Sequence, residues 1–228
     1  MTLDRRDFSL GLVAAGLGPF GLALPAAAQG PWPVEGTHFV RLQQPAPVAT
    51  AGKLDVVEFF WYECPHCNVF EPALDAWSQK LPGDVVLRRV PAWFQDVPYT
   101  AQQRLFYTLE TLGLTASLHR KVYAAIHNER ARMRTPEDIA AFALKNGTDP
   151  IRFMQTYASP QVTALCQQAR QLGETYKIDA VPAIGVHGRY YTTGNLANAG
   201  QPPKGPTVGN ERFLAVVDTL LARARKTG

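Results

Sequence analysis

Cysteine is scarce in this chain of 228 residues: there are three, at positions 64, 67 and 166. Three thiols cannot build the disulfide framework of a small secreted scaffold; they make one pair and one left over. A second Cys-x-x-Cys is missing and the five histidines show no finger spacing, so a structural zinc site would have only half its ligands. Asn68, not histidine, follows Cys67, which removes c-type haem attachment. Charge is sparse too. Charged residues make up 18% of the chain and the formal net charge is only +4. The cluster Arg130, Arg132, Arg134 lacks interleaved aromatics and reads as a solvated basic loop, so no nucleic-acid partner is expected. No internal repeat is present. The apolar stretch from Ser9 to Leu24 is too short, and too interrupted by Pro19 and glycines, for a stable spanning helix.

What that stretch does fit is an export signal over residues 1–28, with Arg5 and Arg6 before it and Ala26-Ala27-Ala28 as small residues at a cleavage site. Asp4 and Asp7 cancel the side-chain charge of the two arginines, which is unusual for the general secretory route. Asp4-Arg5-Arg6-Asp7-Phe8 instead resembles a twin-arginine signal. Export would carry the cysteines to an oxidising compartment. The remaining 200 residues suffice for one domain with a core, or one domain carrying an insertion.

Periodicity orders that remainder. After Pro31 and Pro33, His38 to Gln43 reads as an edge strand, Leu54 to Tyr62 as a central strand, and Cys64 to about Leu81 as a helix with Pro65 at its first position. Val85 to Val90 is a third apolar strand. From about Tyr99 to Ile178 the period becomes helical. Leu105, Phe106, Leu109 and Leu112 form one stripe, and Leu118, Val122 and Ile126 another. Thr135-Pro136-Glu137-Asp138 supplies an N-cap and an acidic first turn for a third helix. Asp149-Pro150 opens a fourth helix and Pro160 a fifth reaching Tyr176. Strand character returns at Ala183 to Val186, with His187-Gly188 turning into Arg189 to Tyr191. Pro202-Pro203 to Gly209 reads as loop and Asn210 to Arg225 as a last amphipathic helix. Strands at both ends with helices between them predict an α/β fold: residues 29–94 and 164–228 as one domain, interrupted by a helical insertion over 95–163.

Cys64-Pro65-His66-Cys67 sits at the strand-to-helix turn and carries the chemistry. With Cys64 at the N-cap, its sulfur meets the free N–H groups of the first turn, which favour the thiolate. His66 can add a donor or a positive charge. Cys67 points inward, leaving the outer sulfur as the one open to attack. A thiolate present only in the dithiol form stabilises the reduced protein, and each pKa unit below ambient pH raises the potential by ~30 mV. Three such units would add ~90 mV, enough to turn a reductant into an oxidant. Glu58, inside Val-Val-Glu-Phe-Phe, is costly to bury unpaired. It either lies beneath the active-site helix and exchanges a proton with Cys67, or pairs with Arg88 or Arg89 on the neighbouring strand. Val181-Pro182 precedes a strand; in the cis form it would present the Val181 backbone beside the cysteines for an extended substrate to join.

Together Glu58-Phe59-Phe60, Cys64-Pro65-His66-Cys67 followed by Phe70-Glu71, and Val181-Pro182-Ala183 resemble the thioredoxin superfamily, specifically the DsbA-type thiol:disulfide oxidases of the bacterial periplasm. The resemblance spans nearly the whole mature chain. It implies a thioredoxin-like fold, a central mixed β-sheet flanked by helices, with an inserted all-helical subdomain. By position it makes Cys64 the nucleophile, Cys67 its buried partner, His66 the tuner, Glu58 the buried proton acceptor, Pro182 a cis-proline and Val181 the substrate-pairing residue. It implies no cofactor beyond the redox-active Cys64–Cys67 disulfide, and no metal. Reduced, unfolded or partly folded exported proteins are the expected clients. A membrane quinone-linked partner of the DsbB kind is the expected reoxidant, and the protein is expected to be a monomer. Two features depart from the pattern. Glu63 stands before Cys64, where the best-known member has an aromatic residue, and should raise the thiolate pKa and soften the oxidant. Cys166, among apolar Val162, Leu165, Ala169 and Leu172, reads as a packed free thiol.

Alternative readings of the same cysteines are an isomerase or reductase of this superfamily, and a periplasmic carrier of copper(I) or zinc. Isomerases of the superfamily usually carry an N-terminal dimerisation region, and little chain precedes the first strand here.

Overall fold

A strand buried on both faces needs apolar side chains at every position rather than alternation, and Leu54–Phe60 comes close to that, with Asp55 and Glu58 the exceptions. In the computed structural model, which describes residues 32–94, 100–201 and 204–227, Leu54–Phe60 is strand β2 and all seven of its residues are buried. The other strands are β1 (Val40–Arg41), β3 (Val85–Pro91), β4 (Ala183–Val186) and β5 (Tyr190–Thr193). They form one sheet in the order β1-β5-β4-β2-β3. Only β2 and β3 run parallel; β4 runs antiparallel to both β2 and β5, and β5 antiparallel to β1. The register sets Phe59 opposite Ala183, which places Pro182 at the end of β2 from which the Cys64 turn departs.

Helix α1 (Pro65–Ser78) follows that turn. After β3 come α2 (Thr100–Thr111), α3 (Thr115–His127), α4 (Pro136–Lys145), α5 (Pro150–Tyr157) and α6 (Pro160–Tyr176). Thr135, Asp149 and Ser159 cap the last three, each followed by proline at the first helical position, and Thr135 forms a reciprocal capping box with Asp138. Helices α7 (Gly194–Ala197) and α8 (Pro206–Thr227) close the chain. Val57 and Phe59 of β2 join the core shared with α2 to α6. Leu54 and Val56, on the opposite face, join the core shared with α1 and α8 through Phe70, Leu74, Phe213 and Val217. Among the described residues no helix is long and apolar enough to cross a membrane.

The mixed sheet flanked by helices agrees with the expected fold class; the element ends differ. The edge strand is only Val40–Arg41, because the chain before it turns, with Gly36 N–H bonded to the Phe39 carbonyl. The central strand stops at Phe60, where the parallel ladder ends opposite Pro91. Helix α1 ends at Ser78, three residues early. The segment read as loop up to Gly209 holds the first turn of α8, which starts at Pro206, and Gly194–Ala197, given no element in the sequence reading, forms α7, capped by the Thr193 hydroxyl. The expected export signal, the start of the helical insertion at residue 95, and Pro31, Tyr99, Pro202 and Pro203 lie outside the described residues.

Candidate functional site

Strand β2 ends under the N-terminus of α1, and the first cysteine sits between them. Cys64 is extended (φ −73°, ψ 116°) and caps α1, its sulfur accepting from the Cys67 N–H at 3.4 Å. Pro65, with no N–H of its own, occupies the first helical position, and both Pro65 and His66 are exposed. Among the described residues all three cysteines are free thiols, so this is the dithiol state. Cys64 is 6% exposed and Cys67 is fully buried, so an incoming group meets Cys64 first.

The two sulfurs differ in acidity. Cys64 is lowered to about 6, first by the hydrogen bond from the Cys67 thiol. Burial opposes ionisation; the N–H groups of Cys67 and His66 and the His66 charge favour it. Cys67 moves the other way, pushed well above the usual thiol range by burial, then by its bond to Cys64 and the charge there. The Val181–Pro182 peptide is cis, and the Val181 carbonyl lies 3.5 Å from Cys64 Sγ. Beside it opens a cavity of about 410 Å³ lined by His66, Val69, Val181, Pro182, Asn195 and Asn210. The structure therefore brings Cys64, Pro65, His66, Cys67, Val181 and Pro182 into one surface site.

Glu58 lies below them, on the face of β2 that α1 covers. Its carboxylate is fully buried and 3.2 Å from the Arg89 guanidinium. Arg88, the other candidate partner, pairs instead with Asp55 at 2.9 Å. Arg89 also contacts Glu71 at 2.6 Å and Asp75 at 2.5 Å, both on α1. Three carboxylates thus share one cation. Burial pushes Glu58 well above the usual carboxylate range, the Glu71 charge adds to this, and Arg89 only partly offsets it. Neither Glu58 oxygen receives an aligned hydrogen bond among the described residues, and its charge is one of the influences that raise Cys67. Burial opposes the charge on Glu71 as well, but His119 and Arg89 outweigh it and hold Glu71 below its ordinary value.

Sequence reasoning missed the residues that complete this layer. His119 of α3 reaches Glu71 with Nε2 at 3.2 Å and the Tyr62 hydroxyl with Nδ1 at 2.7 Å. Burial lowers the His119 pKa, so the ring is neutral near pH 7. His127 Nε2 holds the Tyr62 carbonyl at 2.8 Å. Tyr62, two residues before Cys64, is thereby held by two histidines of one helix. The spacing that offered a signal was Glu71 four residues after Cys67, one turn along α1.

Glu63, expected to soften the oxidant, is held by two partners. Its carboxylate accepts from Gln102 Nε2 at 2.7 Å and from both Nε and Nη2 of Arg134 at 2.8 and 2.6 Å. A carboxylate so paired is no longer a bare charge beside Cys64, and Cys64 remains the acidic sulfur. Cys166 lies buried in α6, its thiol pushed up to about 11 by burial. Among the described residues no group of three or more His, Cys, Asp and Glu side chains is placed to hold a metal ion.

Comparison with known proteins agrees with this geometry. Residues 89–200 match the family model described as a DSBA-like thioredoxin domain. The chain is 38% identical over 221 residues to the thiol:disulfide interchange protein DsbA of Azotobacter vinelandii, covering 96% of this chain and 98% of that one. To DsbA of Bordetella pertussis strain Tohama I it is 39% identical, covering 98% and 100%. The crystal structure of Pseudomonas aeruginosa DsbA superposes with a TM-score of 0.77 at 36% identity, over 85% of this chain and 95% of that one.

Proposed function

The chain belongs to the family of DsbA thiol:disulfide interchange proteins, and from that premise we propose that it donates its Cys64–Cys67 disulfide to exported proteins during oxidative folding. The observation that carries this reading is the contrast between its two sulfurs: one reachable and acidic at about 6, the other buried and held as a thiol.

In the oxidised protein a client thiolate attacks Cys64 Sγ. The S–S electron pair leaves with Cys67, which takes up a proton, and Glu58 beneath it is the group that supplies one. A second thiolate on the client then attacks the client sulfur of the mixed disulfide, and Cys64 departs as a thiolate. Two electrons have passed to the protein and the client holds the new disulfide. At pH 7 a thiolate with a pKa of about 6 is ionised by roughly one unit, which raises the potential by ~30 mV on its own account. His66 tunes this through its backbone N–H and charge. The Val181 backbone beside Cys64 offers an edge for an extended client segment, and the neighbouring cavity accommodates its side chains. Residues 1–28 serve as the export signal, the periplasm is the place of action, and a DsbB-type membrane partner removes the electrons. The helical insertion over 95–163 supplies His119 and His127 to the layer under the site.

Cysteine replacement tests the assignment. Cys64→Ser should abolish oxidation of a reduced model protein, while Cys67→Ser should accumulate mixed disulfides through Cys64. Oxidation by Cys64→Ser protein at the wild-type rate would overturn it.

A further inference from the structure

The linker between α3 and α4 is held in an unfavourable backbone shape. Arg130 and Met133 both adopt left-handed conformations (φ 61° and 50°), which a residue with a Cβ rarely does. The shape persists because the linker is pinned. Met133 is buried in the core, Ala131 N–H bonds the Ala125 carbonyl at 2.9 Å, and Arg134 N–H bonds Asp138 Oδ2 at 3.1 Å. The result is that the Arg134 side chain is presented to Glu63, 71 positions away, and grips both carboxylate oxygens, with Gln102 on the same carboxylate. The Glu63 side chain is only 15% exposed, so solvent screens it less than a free surface charge.

We propose that Arg134 is a positioning residue for the redox centre: by neutralising the carboxylate that adjoins Cys64, it makes the α3–α4 linker a determinant of how oxidising the cysteine pair is. A bare carboxylate at position 63 would oppose ionisation of the neighbouring sulfur. The bidentate pair leaves no net charge there, so the hydrogen bond from the Cys67 thiol, then the first-turn N–H groups and His66, set the acidity of Cys64. The carboxylates of Glu58, Glu71 and Asp75 face Arg89 in the layer below and are untouched by this contact. The role assigned to Arg134 rests on Cys64 being the attacking sulfur.

Its test is a set of four variants, Arg134→Ala, Arg134→Lys, Glu63→Gln and Glu63→Gln with Arg134→Ala. Each reduced protein is titrated by ultraviolet thiolate absorbance and equilibrated with glutathione at low salt. Arg134→Ala should make Cys64 about threefold less acidic, a shift of about half a pH unit, and lower the equilibrium constant about threefold, equivalent to ~15 mV. Glu63→Gln should move acidity the other way, the double variant should return to the wild-type value, and Arg134→Lys should stay near it by keeping the charge. The Arg134→Ala shift should shrink at about 1 M salt. A contact that only braces the fold would change the melting temperature of Arg134→Ala without moving the thiolate titration. That outcome, or a double variant as displaced as Arg134→Ala, would overturn the proposal. The shift between variants judges Arg134, whereas a wild-type Cys64 titrating like a free thiol would strike at the oxidase reading itself.

Discussion

The Glu58 carboxylate lies 3.2 Å from the Arg89 guanidinium and is nonetheless pushed well above the usual carboxylate range. An ion pair at that distance ordinarily lowers a carboxyl pKa. Here burial dominates and the remaining charge of Arg89 is drawn off by Glu71 and Asp75. A strand position that would suit valine is occupied by a group able to hold a proton directly beneath the active-site helix. Stability is given up for that ability.

Replacing the carboxyl by an amide should therefore stabilise the protein. Folded Glu58 binds its proton more tightly than the unfolded chain, whose ordinary value is 4.5. Between that value and the raised folded one, the folded state carries the extra proton, so stability declines as pH rises. Glu58→Gln should remove this decline and gain about 1–2 kcal/mol at pH 7.5, while being neutral near pH 4. It should also slow turnover at the Cys67 step. Urea unfolding of both proteins across this pH span is the check, and a variant less stable than wild type at pH 7.5 would contradict the account.

Cys64 gives the opposite sign. Its folded pKa, about 6, lies below the ordinary thiol value of 9.0, so the dithiol protein gains stability as pH rises between them and loses it as pH falls. The disulfide form has no such group. The stability of reduced over oxidised protein should thus increase steadily from pH 6 towards pH 9, and flatten below pH 6. Denaturant unfolding of the two forms at pH 5.5 and 8 measures this; a difference independent of pH would mean that Cys64 is not the acidic sulfur.

The redox turn was legible because its parts are close in sequence. Cys64, Pro65 and Cys67 fall within four residues, and their place after an apolar strand fixes the N-cap geometry. Glu58 was conspicuous as a charge in an apolar run, and the structure shows it both buried beneath α1 and paired with Arg89. Tyr62 and His119, 57 positions apart, left no such trace, nor did Glu63 and Arg134. Tyr62, His119 and Arg134 looked like an ordinary strand end, helix face and basic loop until the helices docked, and Glu63 stood out only as a charge beside Cys64. The short α7 was hidden by glycine and asparagine, which signal loops unless a cap such as Thr193 is recognised. Likewise Pro206 reads as a breaker, yet it occupies the first turn of α8, where proline is tolerated.

The Tyr62–His119 contact makes a coupled prediction. With neutral His119, the Tyr62 hydroxyl donates to Nδ1 and Nε2–H faces Glu71. Tyr62→Phe should lose about 1 kcal/mol, the net worth of one such bond. His119→Ala should lose about 3 kcal/mol or more, since it leaves a cavity, an orphaned hydroxyl and a less supported Glu71. Glu71 should then bind its proton more tightly, because the His119 bond is the strongest of the influences holding it low. The double variant should lose less than the sum, the deficit being the shared bond. Additive losses in urea unfolding would show that the two side chains merely sit near one another.

Strand β4 offers a last test, independent of the cysteines, of how the end of the sheet near Pro182 is set. A Cβ on Gly185 would fall 2.5 Å from the Tyr176 ring, closer than any side chain tolerates. That ring is fixed twice: it packs edge-on against Phe59 at 5.2 Å, and its hydroxyl accepts from the Gly188 N–H at 3.1 Å. Gly185→Ala must therefore displace either the ring or the strand, at about 1–3 kcal/mol. In a Tyr176→Leu background, where the ring is gone, the same alanine should be tolerated at less than about half that penalty. An equal penalty in both backgrounds would locate the strain in the backbone of β4 and not in the Tyr176 contact.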